Sequence, residues 1–244
     1  MGINNIILEK DEIHIWTIDL SEFVNNERDL FNLLSVDEQI TSKKFMFHKD
    51  YVNYVLRKAI QRKIISSYLN VMPCEVLYTF NPYEKPLLQE LFFNTSNSDN
   101  LFVLAISMEL NVGIDVEKIN NSIDYDNVLE AFATKEEVDL FQNNEFSSQE
   151  KRALFYSLWS SKEAYVKNLG MGLHYPLKQI NLLNEILSSK LQKKNCFKYK
   201  NYKFINLNLS DEYTVVLCTK DINSRLKLVK LRNIGVEIWK EANI

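Results

Sequence analysis

The order of strand-like and helical stretches constrains the fold of this 244-residue chain more than any single motif does. A short apolar run at 13–18 precedes a helical stretch at 37–70, and a second run at 111–118 precedes another helical stretch at 148–169. Further short apolar or alternating runs occur at 76–80, 101–107, 202–209, 213–218 and 226–231. Because the same order occurs twice, the sequence predicts an α+β fold of two similar halves related by a pseudo-twofold axis. Each half is expected to be a small, mainly antiparallel sheet packed with a long helix.

The joint between the halves is predicted near Met108 to Asn111. This placement divides the chain into an N-terminal half, residues 1–108, and a C-terminal half, residues 109–244, although no residue-level repeat relates them. The asparagine-rich stretches NTSNSDN at 94–100 and QKKNCFKYKN at 192–201 are typical of turns.

Charge and cysteine content limit the classes of function. The 29 Lys and Arg residues are outnumbered by 32 Asp and Glu residues, so the net charge of −3 gives no excess that would attract nucleic acid. Three cysteines, Cys74, Cys196 and Cys218, indicate a reducing compartment and small buried side chains. The amino terminus lacks the basic and apolar regions of a signal peptide, and no apolar run approaches the roughly 20 residues that span a bilayer. We therefore expect a cytoplasmic protein with neither a nucleic-acid nor a membrane partner.

Two carboxylates alternate with apolar residues in VGIDVEK, residues 112–118. A strand places successive side chains on opposite faces, so Asp115 and Glu117 share one face with Gly113. An isolated pair of this kind is more often the polar outer face of a half-buried strand. The alternative is a site for Mg²⁺ or Mn²⁺, which prefer oxygen ligands, since no histidine lies nearby to indicate zinc.

The stretch LWSSKEAYVKNLGMG at 158–172 predicts an amphipathic helix with charges at unusual positions. Glu163 and Lys167 lie four residues apart on the shoulder of the apolar face, a spacing that often marks a simple surface ion pair. Lys162 falls within the apolar arc, so it must either extend to solvent or meet a buried anion.

Glycine is scarce, and three of the five glycines, Gly113, Gly170 and Gly172, fall in these two stretches. Gly170 is suited to end the helix, which leaves Gly172 to indicate a tight turn or a close backbone approach.

These motifs resemble a known family. VGIDVEK followed by FYSLWSSKEAYVKNLGMGL at 155–173 is similar to the paired signature of the 4′-phosphopantetheinyl transferases of the surfactin-activator (Sfp-like) type. EKP at 84–86, FNTSNS at 93–98 and the helix around FHKDYVNYVLRKAIQRK at 47–63 extend the resemblance over most of the chain.

The resemblance implies transfer of the phosphopantetheine arm of coenzyme A to a serine of an apo acyl or peptidyl carrier protein, with release of adenosine 3′,5′-bisphosphate. It implies that Asp115, Glu117 and Glu163 bind Mg²⁺ or Mn²⁺. It also implies that Glu163 is the base for the serine hydroxyl and that Lys167 stabilises or protonates the leaving phosphate.

The same resemblance implies how the coenzyme is held. Lys85 and Ser96 are expected to contact its phosphates, and Pro86 is expected to shape the adenine pocket. Asn97 stands where the family has a histidine, which places it beside the 3′-phosphate. Arg57 is a candidate to bind that phosphate in place of the histidine.

Two other classes of function remain open on the sequence alone. A metal-dependent nuclease or phosphodiesterase uses carboxylates and a lysine, but it needs a basic groove for its substrate. A non-catalytic binding domain fits two α+β halves but does not account for the charges at the edges of the apolar faces. The type of carrier also stays open: nonribosomal peptide, polyketide or fatty acid. Because two halves of one chain can form a site at their joint, we expect a monomer.

Overall fold

A computed structural model describes residues 6–143, 145–220, 224–233 and 235–243. Its helices are α1 (Glu27–Phe31), α2 (Val36–Ser42), α3 (His48–Leu69), α4 (Tyr125–Phe132), α5 (Lys135–Asn143), α6 (Ser148–Leu169) and α7 (Leu183–Leu191). Its strands are β1 (Glu12–Asp19), β2 (Thr79–Phe80), β3 (Pro86–Leu87), β4 (Phe92–Ser98), β5 (Leu101–Ser107), β6 (Val112–Lys118), β7 (Cys196–Tyr199), β8 (Tyr202–Asn206), β9 (Tyr213–Thr219), β10 (Arg225–Arg232) and β11 (Gly235–Asn243). No helix in these ranges is both long enough and apolar enough to cross a membrane.

Two sheets, each with one long helix, confirm the predicted α+β fold. The first sheet has the strand order β11-β10-β1-β5-β4, and the second has the order β6-β9-β8-β7. All pairs are antiparallel except β1 with β10, and β2 pairs separately with β3. The helices α3 and α6 each have 22 residues.

The core forms three apolar layers because alternate residues of each strand face opposite sides. Trp16 and Ile18 of β1 pack with α3, while Ile13 and Ile15 face the second sheet and contact residues such as Ile114. A third layer joins α6 to the outer face of the second sheet. The three apolar layers therefore lie between four layers of secondary structure, stacked in the order α3, first sheet, second sheet and α6, so that both long helices are outside.

Local sequence signals fix the ends of the long helices. Ser147 and Glu150 form a capping box at the start of α6, and Gly170 ends the helix in a left-handed conformation with φ of 73°. Gly172, with φ of 53°, opens the short 3₁₀ turn Gly172–His174, which confirms the tight turn expected there. Thr134 and Glu137 form a capping box at the start of α5.

Several local predictions were wrong. The helical stretch 37–70 is interrupted between α2 and α3, where the ring of Phe45 packs back on Tyr54 at a centroid distance of 5.1 Å. The stretch at 94–100 is mostly strand β4, and the stretch at 192–201 contains β7. Cys74 is exposed rather than buried, although Cys218 is buried as expected.

The last strands return to the first sheet. β10 pairs in parallel with β1, from Glu12 opposite Arg225 to Ile18 opposite Leu231. The division into domains 1–108 and 109–244 stays a prediction, and the strands β10 and β11 belong by their hydrogen bonding to the sheet of the first half.

Candidate active site between the two sheets

The edges of the two sheets run side by side and place α3 and α6 on opposite walls of a cavity. Asn94 of β4 accepts a hydrogen bond from the Ile114 backbone N–H of β6 at 2.8 Å, and Ser98 accepts one from the Lys118 backbone N–H at 3.0 Å. The cavity beside this seam has a volume of about 410 Å³. Its lining comprises Tyr54, Arg57, Lys58, Gln61, Thr95, Ser96, Asn97, Phe102, Asp115, Glu117, Trp159, Glu163 and Lys167.

Asp115 and Lys167 form the ion pair at the floor of this cavity. The Lys167 Nζ atom lies 2.7 Å from Asp115 Oδ1, and the Asp115 side chain is only 4% exposed. Ser96 joins them: its hydroxyl donates to Asp115 Oδ1 at 3.0 Å and accepts from Lys167 Nζ at 2.9 Å. The structure therefore brings three of the predicted site residues into direct contact.

Glu117 is held by two further donors. The Trp159 indole N–H donates to its Oε1 atom at 2.9 Å, and the Ser98 hydroxyl donates to its Oε2 atom at 3.2 Å. Burial raises the pKa of Glu117, and the charge of Asp115 acts in the same direction. Trp159 lies four residues before Glu163 on α6, and the sequence alone gives no sign that its indole group contacts Glu117.

Glu163 faces the same cavity from α6. Its Oε1 atom and the Oδ2 atom of Asp115 are both buried, and neither has a hydrogen-bond partner among the described residues. Burial raises the pKa of Glu163, and the charges of Asp115 and Glu117 raise it further, whereas Lys167 lowers it. Three carboxylates thus lie on this side of the cavity, and Asp115 is the one that forms an ion pair with Lys167.

This donor set fits a hard divalent cation. All the candidate ligand atoms are carboxylate oxygens, which Mg²⁺ and Mn²⁺ prefer, and two of them are buried without a partner. Among the described residues, no three His, Cys, Asp or Glu side chains are already gathered closely enough to enclose a metal ion. Asp115, with Lys167 as its present partner, is the carboxylate that a divalent cation would engage in place of the ammonium group.

Gly113 allows strand β6, which carries Asp115 and Glu117, to lie very close to helix α6. A Cβ atom at this position would lie 2.0 Å from the Ala164 carbonyl oxygen and 2.5 Å from the Asn168 backbone nitrogen. The Asn168 side chain in turn donates to the carbonyls of Asn111 and Cys218 at 2.8 and 2.9 Å. Only glycine allows β6 to lie against α6 in this way, and this contact places Asp115 opposite Glu163 and Lys167.

Arg57 and Asn97 meet at the other end of the cavity. The Arg57 Nη1 atom donates to Asn97 Oδ1 at 2.6 Å, and its Nε atom donates to the Asn53 carbonyl at 3.2 Å. The structure therefore brings these two predicted coenzyme-binding residues together.

Lys85 and Pro86 do not line this cavity. The Lys85 ammonium group donates to the Lys167 carbonyl at 2.7 Å, and burial lowers its pKa to about 8. Asn81 supports the same contact by donating to the Gly170 carbonyl at 2.7 Å. These bonds attach the segment around β2 and β3 to the end of α6, and the coenzyme-binding roles of Lys85 and Pro86 stay predictions.

A larger cavity of about 530 Å³, around Asp99, Lys118 and Tyr213, is lined by none of the candidate catalytic, metal-binding or coenzyme-binding residues. The smaller cavity, which the carboxylates line, is therefore the candidate site.

Lys162 has the buried anionic partner that its position on the apolar arc requires. Its Nζ atom lies 2.5 Å from Glu137 Oε2, and both side chains are fully buried. Glu137 also accepts the Leu182 backbone N–H at 2.7 Å, so it does more than cap α5. The sequence could not locate this partner, because the two residues are 25 positions apart.

Carboxylates together with lysine and arginine side chains around one cavity are the residue types that enzymes use to bind and transfer phosphoryl groups. Residues 111–218 match the family model described as the 4′-phosphopantetheinyl transferase superfamily. Over 175 residues the chain is 30% identical to the 4′-phosphopantetheinyl transferase HetI of Nostoc sp. PCC 7120, an alignment that covers 69% of this chain and 73% of HetI. The chain belongs to the 4′-phosphopantetheinyl transferase family.

Two other relatives carry the same description. The 4′-phosphopantetheinyl transferase gsp of Aneurinibacillus migulanus is 33% identical over 62% of this chain and 64% of its own length. The 4′-phosphopantetheinyl transferase Sfp of Bacillus subtilis strain 168 is 28% identical over 62% of this chain and 66% of its own length. The chain thus spans slightly less than two thirds of the length of these two relatives. Nothing in the comparisons supports the nuclease alternative.

Proposed function

We propose that this chain transfers the 4′-phosphopantetheine group of coenzyme A to a serine hydroxyl of an apo carrier protein and releases adenosine 3′,5′-bisphosphate. The observation that carries the proposal is the contact of Asp115 with Lys167 and Ser96, in a cavity that Glu117 and Glu163 also line. These residues come from both sheet edges and from α6, so the motifs that define the family meet in one place.

Asp115, Glu117 and Glu163 are the proposed ligands of Mg²⁺ or Mn²⁺. Their oxygens are of the type that these ions prefer, and the unpartnered oxygens of Asp115 and Glu163 are available for this purpose. When bound, the cation neutralises charge on the pyrophosphate and makes its phosphorus more electrophilic.

The transfer itself breaks a phosphoanhydride bond of the pyrophosphate and forms a phosphoester bond to the serine. The serine oxygen forms a bond to the pantetheine-side phosphorus, and the bond from that phosphorus to the bridging oxygen breaks. Glu163 is proposed to take the serine proton, because burial and the charges of Asp115 and Glu117 raise the pKa of its carboxyl group and so make it a better base. Lys167 is proposed to leave Asp115 and stabilise the negative charge on the departing phosphate.

Ser96 is proposed to orient Lys167 and to contact a phosphate, since its hydroxyl already links Lys167 to Asp115. Because all walls of the cavity come from one chain, we propose that the monomer is the active form. The finer assignment to the surfactin-activator type and the identity of the carrier are likewise proposals.

Intact-mass measurement tests the proposed function directly. The chain is incubated with coenzyme A, Mg²⁺ and a panel of apo carrier domains of the peptidyl, polyketide and fatty-acid types. We expect at least one carrier to gain the mass of a single phosphopantetheine group, and to fail to gain it when its acceptor serine is replaced by alanine. Absence of any gain across the panel would overturn the proposal, and cleavage of DNA under the same conditions would favour a nuclease.

A further inference from the structure

A further cavity lies on the far side of α6 from the candidate active site. It has a volume of about 250 Å³, and residues of α6, α7 and the second sheet line it. Ser157 and Ser161 are the residues that α6 contributes. Each residue of a helix turns by about 100°, so Ser161 points about 160° away from Glu163, which lines the candidate active site. The two cavities are therefore separate sites.

The lining of this cavity is cationic and polar. Its polar groups are ammonium, hydroxyl and amide groups, from Lys190, Lys193, Lys194, Ser157, Ser161, Ser189, Asn195, Asn206 and Asn208. Ile186, Phe197 and Val216 complete the lining, and no Asp or Glu of the described residues takes part in it. Ammonium, hydroxyl and amide groups donate hydrogen bonds to oxyanions such as phosphate, whereas a cation would find no carboxylate here.

The three lysines have no carboxylate partner in the part of the chain that the structure describes. Glu150, whose charge reaches Lys190, instead accepts hydrogen bonds from the Ser147 backbone N–H at 2.9 Å and from the Ser147 hydroxyl at 2.6 Å. Partial burial lowers the pKa of Lys190, which means that its charged form is destabilised. Three cations around one small cavity repel one another, and an anion shared among them would relieve this repulsion.

Ser157 supplies an independent sign of a missing ligand. This residue is only 9% exposed, and its hydroxyl has no hydrogen-bond partner among the described residues. The other two serines of the cavity satisfy themselves within their helices: Ser161 donates to the Ser157 carbonyl at 2.6 Å, and Ser189 donates to the Ile186 carbonyl at 2.8 Å. Because buried hydroxyl groups are normally paired, a ligand in the cavity would provide the partner that Ser157 lacks.

The end of α7 offers a simpler explanation for part of this cluster. Cations near the C-terminus of a helix interact favourably with its dipole, and α7 ends at Leu191. Lys190 and Lys194 would be enough for that purpose. Lys193 has a left-handed backbone with φ of 53°, a conformation that favours glycine at the end of a helix. The dipole of α7 also does not account for the unpaired hydroxyl of Ser157, which belongs to another helix.

We propose that this cavity is a second binding site, for a small phosphate-type anion held by Lys190, Lys193, Lys194 and the hydroxyl of Ser157. A phosphate monoester carries a charge of about −1.5 to −2 at pH 7, which three lysines can neutralise. The half-buried ring of Phe197 offers an apolar surface beside the anion for the organic group of a small ester. The site does not depend on the proposed function.

Two-dimensional NMR of the full chain tests the site. The protein is titrated at pH 7 with sodium phosphate and, at matched ionic strength, with sodium chloride. We expect the side-chain amide signals of Asn195 and Asn206 to shift saturably with phosphate, with a Kd of about 1–10 mM, and not with chloride. Glycerol 3-phosphate is the second probe. Tighter binding of this probe than of inorganic phosphate would assign the site to a small phosphate ester, and equal or weaker binding would assign it to inorganic phosphate.

Variants of the lining show whether these residues hold the anion. Lys193→Gln/Lys194→Gln should weaken phosphate binding at least about tenfold, and Ser157→Ala should weaken it about threefold. The matched control is Lys178→Gln/Lys200→Gln, which removes the same charge from two exposed lysines that do not line the cavity. Lys200 also has φ of 53°, as Lys193 does. The control should keep the wild-type Kd within about twofold, because its lysines are outside the site.

Three results would overturn the site. The first is equal weakening by the two double variants, which would mean that only the net charge of the protein matters. The second is that the signals of Asn195 and Asn206 shift in chloride as they do in phosphate. The third is that their shifts in phosphate persist unchanged in Lys193→Gln/Lys194→Gln. Phosphate that enters the candidate active site is recognised separately, by the side-chain amide signal of Asn97.

Discussion

The buried ion pair of Lys162 and Glu137 gives the sharpest prediction about stability. The Lys162 ammonium group has three acceptors: Glu137 Oε2 at 2.5 Å and the carbonyls of Phe132 and Leu177, each at 3.2 Å. Glu137 in turn accepts the backbone N–H groups of Thr134 and Leu182, at 2.8 and 2.7 Å. One pair therefore connects the end of α4, the start of α5, α6 and the segment that follows α6.

Replacement of Lys162 by methionine preserves most of the side-chain volume but removes the charge. The carboxylate of Glu137 then stays buried with only backbone donors, and removing one partner of a buried pair costs about 3–5 kcal/mol. For a chain of this size each kcal/mol lowers the melting temperature by about 2–4 °C, so we expect Lys162→Met to melt roughly 6–20 °C below wild type.

A double-mutant cycle separates the pair from its surroundings. Glu137→Gln leaves Lys162 charged and buried, and it should also destabilise the protein. The double variant Glu137→Gln/Lys162→Met should lose at least about 1 kcal/mol less than the sum of the single losses, because neither charge is then left without a partner. The free energy of unfolding is measured in urea for all four proteins. A Lys162→Met variant that melts within about 2 °C of wild type, or strictly additive losses, would refute the reasoning.

Two further perturbations test how the site is assembled. Gly113→Ala should lower the free energy of unfolding by about 1–3 kcal/mol and should also reduce transfer, because its Cβ would meet the Ala164 carbonyl at 2.0 Å. A Cβ atom at Gly172 would meet open space, but the φ angle there is 53°, so Gly172→Ala should cost only about 1–2 kcal/mol in urea unfolding. If Gly113→Ala and Gly172→Ala reduced transfer equally, the close approach of β6 to α6 would not be what positions the site. Burial lowers the pKa of Lys85 in the folded protein to about 8, below its value in the unfolded chain. The unfolded chain therefore binds this proton more tightly than the folded protein does. The resulting penalty on folding is lost as the pH rises and the lysine becomes neutral in both states. The unfolding free energy of wild type relative to Lys85→Met should therefore increase from pH 8 to pH 10.5, and a flat or falling difference would show that Lys85 is not buried as a cation.

Periodicity was sufficient to predict the α+β class of the fold. The alternation of β6 assigned Asp115 and Glu117 to one face, and the helical spacing of α6 identified Lys162 as a residue in need of a buried anion. Both are local properties of one element, in which neighbours along the chain determine which side chains share a face.

Contacts between elements that are distant in the sequence could not be predicted from local patterns. The polar side chains of β4 are typical of a turn, yet Asn94 and Ser98 use that polarity to bridge the edges of two sheets. The partner of Lys162 lies on α5, and the return of β10 to β1 depends on a pairing across more than 200 residues. Nothing in local composition encodes which remote segment supplies such partners.

The candidate site was predicted in part. Asp115, Glu163 and Lys167 follow from motifs, whereas the contact of Trp159 with Glu117 is apparent only in the fold. The sequence predicted a helix in the region of α3, but it did not reveal that this helix lines the same cavity as β6.

The carboxylates around Lys167 are proposed to bind the metal ion that the transfer requires. The most direct test compares wild type, Asp115→Ala and Glu163→Ala in the intact-mass assay with coenzyme A, Mg²⁺ and an apo carrier that wild type modifies. Circular dichroism first establishes that each variant is folded. We expect both variants to lose transfer by at least about a hundredfold, because each removes an oxygen ligand that the transition state requires. Transfer at the wild-type rate by either folded variant would contradict the account.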